Sequence, residues 1–251
     1  MLATLQIEID CKDKKAINFS KGSLFHGVLM EKLDTDYVEY LHNQPLNPYS
    51  QYVYFDKEKD NFVWKISTLT KEAKENIIDV FVEKIGDAIT LSHDEETYKI
   101  KSKSIVNIKS YPEIVDSNFL KDDKDKKNIV NVQLLTPTTY KSNGDYQIMP
   151  SIQALYCSVY NKWNVFSDKV SLADEEVFRH ILEHSLIIGY NLKSYKYNIE
   201  KVRLNSFIGD FNLLLKGPKE LVSISNMLLE FGEYSGLGAK TSMGMGGMKI
   251  E

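Results

Sequence analysis

Hydrophobic periodicity restarts halfway along this chain, and that restart restricts the fold more than any other feature. Residues 2–9 alternate apolar and polar side chains, as a strand with one buried face does. Residues 22–33 carry Leu24, Phe25, Val28, Leu29 and Leu33 at helical spacing, and a short helical stretch over 36–43 stops before Pro45. Residues 51–55 and 61–67 read as strands paired around the polar turn DKEKD. A helix follows over 71–85, with Ala73, Ile77, Ile78, Phe81 and Ile85 on one face, and strands follow over 88–91 and 98–108. The first half therefore reads β-α-β-β-α-β with embellishments.

The run LKDDKDKKN, residues 120–128, holds no apolar residue after its first and reads as a linker. The pattern then begins again with a strand over 129–135. A helix over 149–163 places Ile152, Leu155, Tyr156, Val159 and Trp163 on one side, and residues 177–182 extend the helical region. Strands follow over 185–190 and 207–215. Pro218 opens a last helix, Gly232 stops it, and residues 243–250 close as a strand. The expected fold is α+β, with two tandem ferredoxin-like (RRM-like, βαββαβ) domains over residues 1–125 and 126–251.

Between the last helix and the last strand lies GLGAKTSMGMGG, with Gly236, Gly238, Gly244 and Gly246 in the spacing G-x-G-x₅-G-x-G and Gly247 added. Glycine allows positive φ and close approach of the backbone, so successive N–H groups can line an anion-binding concavity. Lys240, Thr241 and Ser242 add one cation and two hydroxyls suited to phosphate oxygens. A P-loop is excluded, because no GxxxxGK[ST] string exists. A dinucleotide fingerprint is excluded too, because the order is helix then strand and Thr241 stands where a third glycine would. The loop is therefore expected to grip nucleic-acid phosphates.

The net charge of −4 requires any such surface to arise from local placement. Residues 1–128 hold 19 basic and 23 acidic side chains, and residues 129–251 hold 12 of each. Cys11 and Cys157 match no ligand spacing, so no metal site and no cofactor is expected, and they read as reduced thiols of a cytoplasmic protein. No apolar run approaches the roughly 18 residues of a membrane span, and the first residues lack the regions of a signal peptide. No membrane partner is expected.

The helix–GLGAKTSMGMGG–strand ending resembles the signature of the CRISPR repeat-processing endoribonucleases of the RAMP superfamily. LLTPTTYKSNGDYQIMPSIQALYCSVYNKWN, residues 134–164, resembles that family's strand, polar hairpin and helix ending in Lys-Trp-Asn. GSLFHGVLMEKL and YLHNQPLNPYSQYV, within residues 22–53, resemble its first helix and histidine-bearing loop. The resemblance implies two ferredoxin-like domains and a protein that binds the repeat of a CRISPR precursor transcript and cuts it without a metal. The 2′-hydroxyl would attack the phosphorus, leaving a 2′,3′-cyclic phosphate and a 5′-hydroxyl on the way to guide crRNAs. Repeat RNA is the implied partner, as precursor and as product, with a CRISPR effector complex and a second copy of the chain as further associations it allows. A repeat-RNA binder that does not cut, and a structural subunit of an effector complex, are the alternatives.

Such a cleavage needs a base, an acid and donors for the charged phosphorane. His42 is the first candidate, as base or acid: it follows a short helix, precedes a proline-bearing loop and sits where the family's histidine falls. His26, on the amphipathic helix, is the second. Tyr37 and Tyr40 share a face of the short helix leading to His42. His93 lies in an acidic turn, and His180 and His184 look structural. No lysine occurs between Asn43 and Phe55, where the family pattern places one, so Lys240 or Ser50 is expected to supply the missing donor. Further RNA contacts are expected from Lys141, Ser142 and Lys162, and from the stretch carrying Lys193, Tyr195, Lys196, Tyr197, Lys201 and Arg203.

Overall fold

A computed structural model describes residues 1–11, 13–91, 96–120, 127–142, 144–199 and 202–251. His93, Lys201 and most of the charged linker run lie outside the described residues. The first unit runs β1 (Leu2–Asp10), α1 (Gly22–Lys32), α2 (Thr35–Asn43), β2 (Tyr49–Asp56) and β3 (Asn61–Thr68). It continues through α3 (Lys71–Ala73), a π-helical segment (Lys74–Asp79), α4 (Val80–Lys84), β4 (Ala88–Leu91) and β5 (Glu96–Lys109). The sheet order is β2-β3-β1-β5-β4, all antiparallel. Setting β4 aside as an added edge, β1 lies between β3 and β5, the arrangement of a ferredoxin-like unit. Leu5, Ile7 and Ile9 of β1 point to one side and pack with Phe25, Leu29, Trp64, Ile77 and Phe81. The period-two pattern of the sequence thus becomes one buried sheet face under α1 and the third helical region.

A helix that the periodicity reading passed over, α5 (Tyr111–Phe119), follows β5. Its start carries a reciprocal cap: the Ser110 side chain accepts from the Glu113 N–H, and the Glu113 carboxylate accepts from the Ser110 N–H at 2.6 Å. The second unit comprises β6 (Ile129–Thr138), a hairpin of β7 (Tyr140–Ser142) and β8 (Asp145–Gln147), α6 (Ile152–Phe166) and α7 (Glu175–His184). It ends with β9 (Ser185–Ile199), β10 (Val202–Leu215), α8 (Lys219–Ser235) and β11 (Met248–Ile250). The order β11-β6-β10-β9 repeats the ferredoxin-like arrangement. The closing strand is shorter than expected, because Thr241–Met243 form a 3₁₀ turn and positive-φ glycines interrupt the extended chain. The cores do not part where the chain was divided at residue 125: Tyr111 and Ile114 pack with Val132, Trp163 and Phe231 of the second unit. No helix among the described residues is long and apolar enough to cross a membrane.

The C-terminal end of α8 joins the two units. A helix end leaves its last carbonyls without intrahelical partners, and here groups from both units supply them. Lys65 Nζ of β3 donates to Glu233 O at 3.0 Å, and Ser50 Oγ of β2 donates to Tyr234 O at 2.6 Å. Lys162 Nζ of α6 donates to Ser235 O at 2.8 Å and Gly236 O at 3.1 Å. Glu230, one turn earlier, receives Lys109 Nζ at 2.7 Å and Asn118 Nδ2 at 2.8 Å. Ser50 and Lys162 are buried, so each carbonyl they serve would cost about 1–3 kcal/mol if left alone.

The glycines that follow are set by backbone crowding. Gly244 has φ +96°, and a Cβ there would lie 2.6 Å from Gly22 Cα and 2.6 Å from the Tyr197 hydroxyl. Gly86 has φ +66°, yet a Cβ there meets nothing within 4 Å. Gly86→Ala is therefore expected to cost about 1–2 kcal/mol through backbone strain alone, and Gly244→Ala at least about 3 kcal/mol because the two units must separate. Urea unfolding of both variants checks this; equal costs would contradict the crowding argument.

Candidate active site at the junction of the two units

Asp34 caps α2 by accepting from the Asp36 N–H at 3.0 Å, and the helix ends at Asn43 with His42 in its last turn. His42 is exposed and has no hydrogen-bond partner among the described residues. The chain then passes Asn47 and Pro48 into β2. Tyr49, the first residue of that strand, is buried and turns its hydroxyl to His26 Nε2 at 2.9 Å, with the two rings nearly parallel. Burial, with the charge of His42 adding to it, pushes the His26 imidazole down from 6.5 to about 4. His26 is thus neutral at pH 7, and His42 lies near enough for its charge to be felt. The two histidines expected from sequence are brought together.

Tyr37 is half-buried and stacks on the exposed Tyr40, with ring centroids 5.5 Å apart. Burial raises the Tyr37 phenol, and Tyr37 in turn adds to the upward shift of Tyr49, so the two phenols are neighbours. Both remain protonated and offer hydroxyls rather than charge. Tyr40 lies outside this pair on the solvent side.

The other wall of the site comes from the glycine loop. Ser242 Oγ accepts from Asn47 Nδ2 at 3.3 Å and also acts on the Tyr49 phenol, opposing in part the effect of its burial. Gln51 Nε2 donates at 2.9 Å both to Ser242 O and to Gly22 O, the first residue of the helix that carries His26. Trp64 Nε1 holds the Gln51 amide from behind at 2.8 Å. Tyr197 OH donates to Met243 O at 2.8 Å. The loop is therefore wedged between the units, one side against the histidine-bearing helix.

This corrects the expectation that Gly236, Gly238 and Gly246 offer their N–H groups to phosphate, and Gly244 is packed against Gly22. Gly236, Gly244 and Gly246 are buried. The N–H of Gly236 goes to Gly232 O, that of Gly238 to Ser158 Oγ and that of Gly246 to Pro137 O. A Cβ at Gly238 would lie 2.3 Å from Thr139 O, and one at Gly246 2.1 Å from Leu237 O. The glycines serve close backbone packing. The solvent side of the loop is Lys240, exposed in a left-handed conformation with φ +61°. Thr241 and Ser242 are nearly buried and already bonded, Thr241 Oγ1 to Lys162 Nζ at 3.2 Å.

Lys141, Lys193, Lys196 and Arg203 are exposed on the β7–β8 and β9–β10 hairpins. Tyr197 is fully buried, bonded and packed with Leu204 and Met245, so it is not free to stack on a base. Lys162 is buried and bonded within the chain, so it is no RNA contact. Ser50 is spent on Tyr234 O and cannot replace the missing lysine. Tyr49, Asn47 and Gln51 are the residues the sequence did not single out. Only the tertiary fold gives them their partners. A separate cleft of about 510 Å³, lined by Gln6, Tyr52, Lys65, Gln133, Glu233 and Lys249 among others, contains none of the four expected catalytic side chains.

The profile of the CRISPR-associated endoribonuclease Cas6 family matches residues 132–248. Over 232 residues the chain is 33% identical to the CRISPR-associated endoribonuclease Cas6 of Streptococcus thermophilus, covering 90% of each protein. It is 29% identical over 250 residues to Cas6 of Mycobacterium tuberculosis, covering 99% of this chain and 77% of that one. A solved Cas6 product complex has a TM-score of 0.79 at 18% identity, covering 100% of this chain and 99% of that chain. Thermus thermophilus Cas6 has a TM-score of 0.71 at 18% identity, covering 100% and 98%. The structural matches speak for two ferredoxin-like units, and the sequence matches speak for descent. The chain belongs to the CRISPR-associated endoribonuclease Cas6 family.

Proposed function

We propose that this protein binds the repeat RNA of a CRISPR precursor transcript in the junction between its units and cuts it by attack of the neighbouring 2′-hydroxyl. The observation that carries the reading is the contact of His26 with Tyr49 beside the Asn47–Ser242 bond between two ferredoxin-like units, with His42 and Tyr37 near enough to bear on His26 and Tyr49. In this reaction the 2′-oxygen bonds to phosphorus and the bond to the 5′-oxygen breaks. One group takes the 2′-proton and another returns a proton to the leaving oxygen. His42, exposed and unbonded, is the proton-transfer residue in one of these roles. His26 is neutral and held by Tyr49, so it contributes an oriented ring rather than charge. The Tyr37 hydroxyl and the Lys240 ammonium are assigned as donors to the phosphorane oxygens. Lys141, Lys196 and Arg203 contact phosphates farther along the RNA.

His42→Ala is expected to slow cleavage of repeat RNA by about 10²–10⁴-fold while leaving binding within a few-fold, measured with EDTA present. Lys240→Ala is expected to weaken binding as well as slow cleavage. Tight binding with no cut by the parent protein would instead make the chain a repeat-RNA holder.

A second expectation concerns stability. Because folding lowers the His26 imidazole from 6.5 to about 4, the unfolded chain takes up that proton first as pH falls. The contribution of His26 is complete above pH 6.5 and is lost progressively as the pH drops towards about 4. His26→Gln is expected to flatten the acid side of the stability profile in this window, read from urea midpoints. An unchanged profile would show that the imidazole is not desolvated.

A further inference from the structure

Lys162 is a buried cation that RNA cannot reach, yet it sits at the root of the glycine loop. Its side chain crosses from α6 and is 6% exposed. The ammonium has three hydrogens, and each has an acceptor: Ser235 O at 2.8 Å, Gly236 O at 3.1 Å and Thr241 Oγ1 at 3.2 Å. Two acceptors are the last carbonyls of α8, where the helix dipole is negative. The third belongs to the 3₁₀ turn five residues later. Lys162 therefore ties the exit of α8 to the Thr241–Met243 turn and closes the loop on itself.

The next residue of that turn faces the other unit. Ser242 receives Asn47 Nδ2 at 3.3 Å through its hydroxyl and Gln51 Nε2 at 2.9 Å through its carbonyl. The same Gln51 amide holds Gly22 O at the start of α1, and Tyr49 holds His26 one turn along α1. Two sets of hydrogen bonds, joined by the peptide bond between Thr241 and Ser242, thus lead from the Lys162 ammonium to Asn47 in the segment flanked by His42 and Tyr49. No carboxylate perturbs Lys162; burial alone pushes its ammonium down to about 7. Removing this donor would take a partner from three buried acceptors, which costs free energy at each.

We propose that Lys162 is a positioning residue for RNA cleavage: by locking the Thr241–Ser242 turn to the end of α8, it sets Asn47 and Tyr49, and through them the two histidines, in reacting geometry. The inference rests on the reading that the junction cuts RNA. It assigns Lys162 no contact with substrate and no proton transfer. It also separates two duties of the glycine loop, since Lys240 on the solvent side meets the RNA while the buried side carries the alignment.

The test compares Lys162→Met, which keeps the length and removes the donors, with Lys162→Arg, which keeps charge and donors. Thr241→Val removes one acceptor with little change of shape and serves if Lys162→Met does not fold. Three quantities are read for each folded variant: single-turnover cleavage of repeat RNA, affinity for the same RNA carrying a 2′-deoxy sugar at the cut site, and the NMR titration of the His26 imidazole. Lys162→Met is expected to slow cleavage about tenfold or more, since small misplacements of reacting groups cost up to about 10²-fold, with affinity changed by less than about threefold. Lys162→Arg is expected to recover part of the rate. In Lys162→Met and, more weakly, Thr241→Val, the His26 titration should climb from about 4 back towards 6.5 as its cover loosens. Parent-like cleavage and titration in Lys162→Met overturn the proposal, and so does a rate loss matched by an equal loss of affinity with the His26 titration unmoved. If the parent protein binds repeat RNA without cutting it, the cleavage reading fails. The His26 titration then decides alone whether Lys162 sets the junction.

Discussion

The carbonyls at the end of α8 are the constraint on which the rest of this structure depends. Four successive carbonyl oxygens, from Glu233 to Gly236, take hydrogen bonds from Lys65, Ser50 and Lys162. Two of these donors belong to the first sheet and one to the helix layer of the second. Burying them would cost free energy unless they were bonded, so the helix end can be dry only where the units meet in one register. Burial lowers the ammonium of Lys65 and raises the carboxyl of Glu233, both towards the neutral form. Lys109 and Asn118 on Glu230 extend the seam to the segment that joins the two units.

From that fixed point the glycine loop acquires its shape. Gly236 leaves the helix with φ +66°, Leu237 drops into the second core, and Gly244 passes within contact of Gly22. A Cβ at Gly236 would lie 2.8 Å from the Thr241 side chain, and one at Gly244 would meet the Gly22 backbone and the Tyr197 hydroxyl, so both turns need glycine. The consequence reaches the chemistry. Close approach at Gly22 and Gly244 places Ser242 against Asn47 and Tyr49, and Tyr49 reaches His26 in the next turn of α1. The candidate active site is thus a property of the junction. Neither unit contains both walls.

Much of this architecture was legible before any coordinates. Local periodicity sets elements, and the doubled β-α-β-β-α-β order survives in both sheets because alternating apolar residues on β1 and β6 leave each sheet one face to bury. His26 and His42 were legible as chemistry, since few side chains exchange protons near neutrality. The helix α5 was less visible, because a nine-residue segment with Asn118 and Ser117 on it has a weak apolar stripe. Its cap at Ser110 and Glu113 was the signal that could have found it.

By itself, then, the sequence determined the tandem units, the glycine-rich ending and the residue types capable of cutting RNA. These follow from periodicity, backbone freedom and pKa, which are local properties. Tertiary structure decided what the glycines are for, which lysines face solvent and which histidine is buried. Lys240 and Lys162 are alike in sequence, yet one is exposed beside the site and the other is 6% exposed and fully bonded beneath it. Burial and partnership depend on residues about 75 to 195 positions away, as between Lys162 and Gly236 or Asn47 and Ser242. No pattern read along the chain carries that information, because it arises only when the two units close on one another.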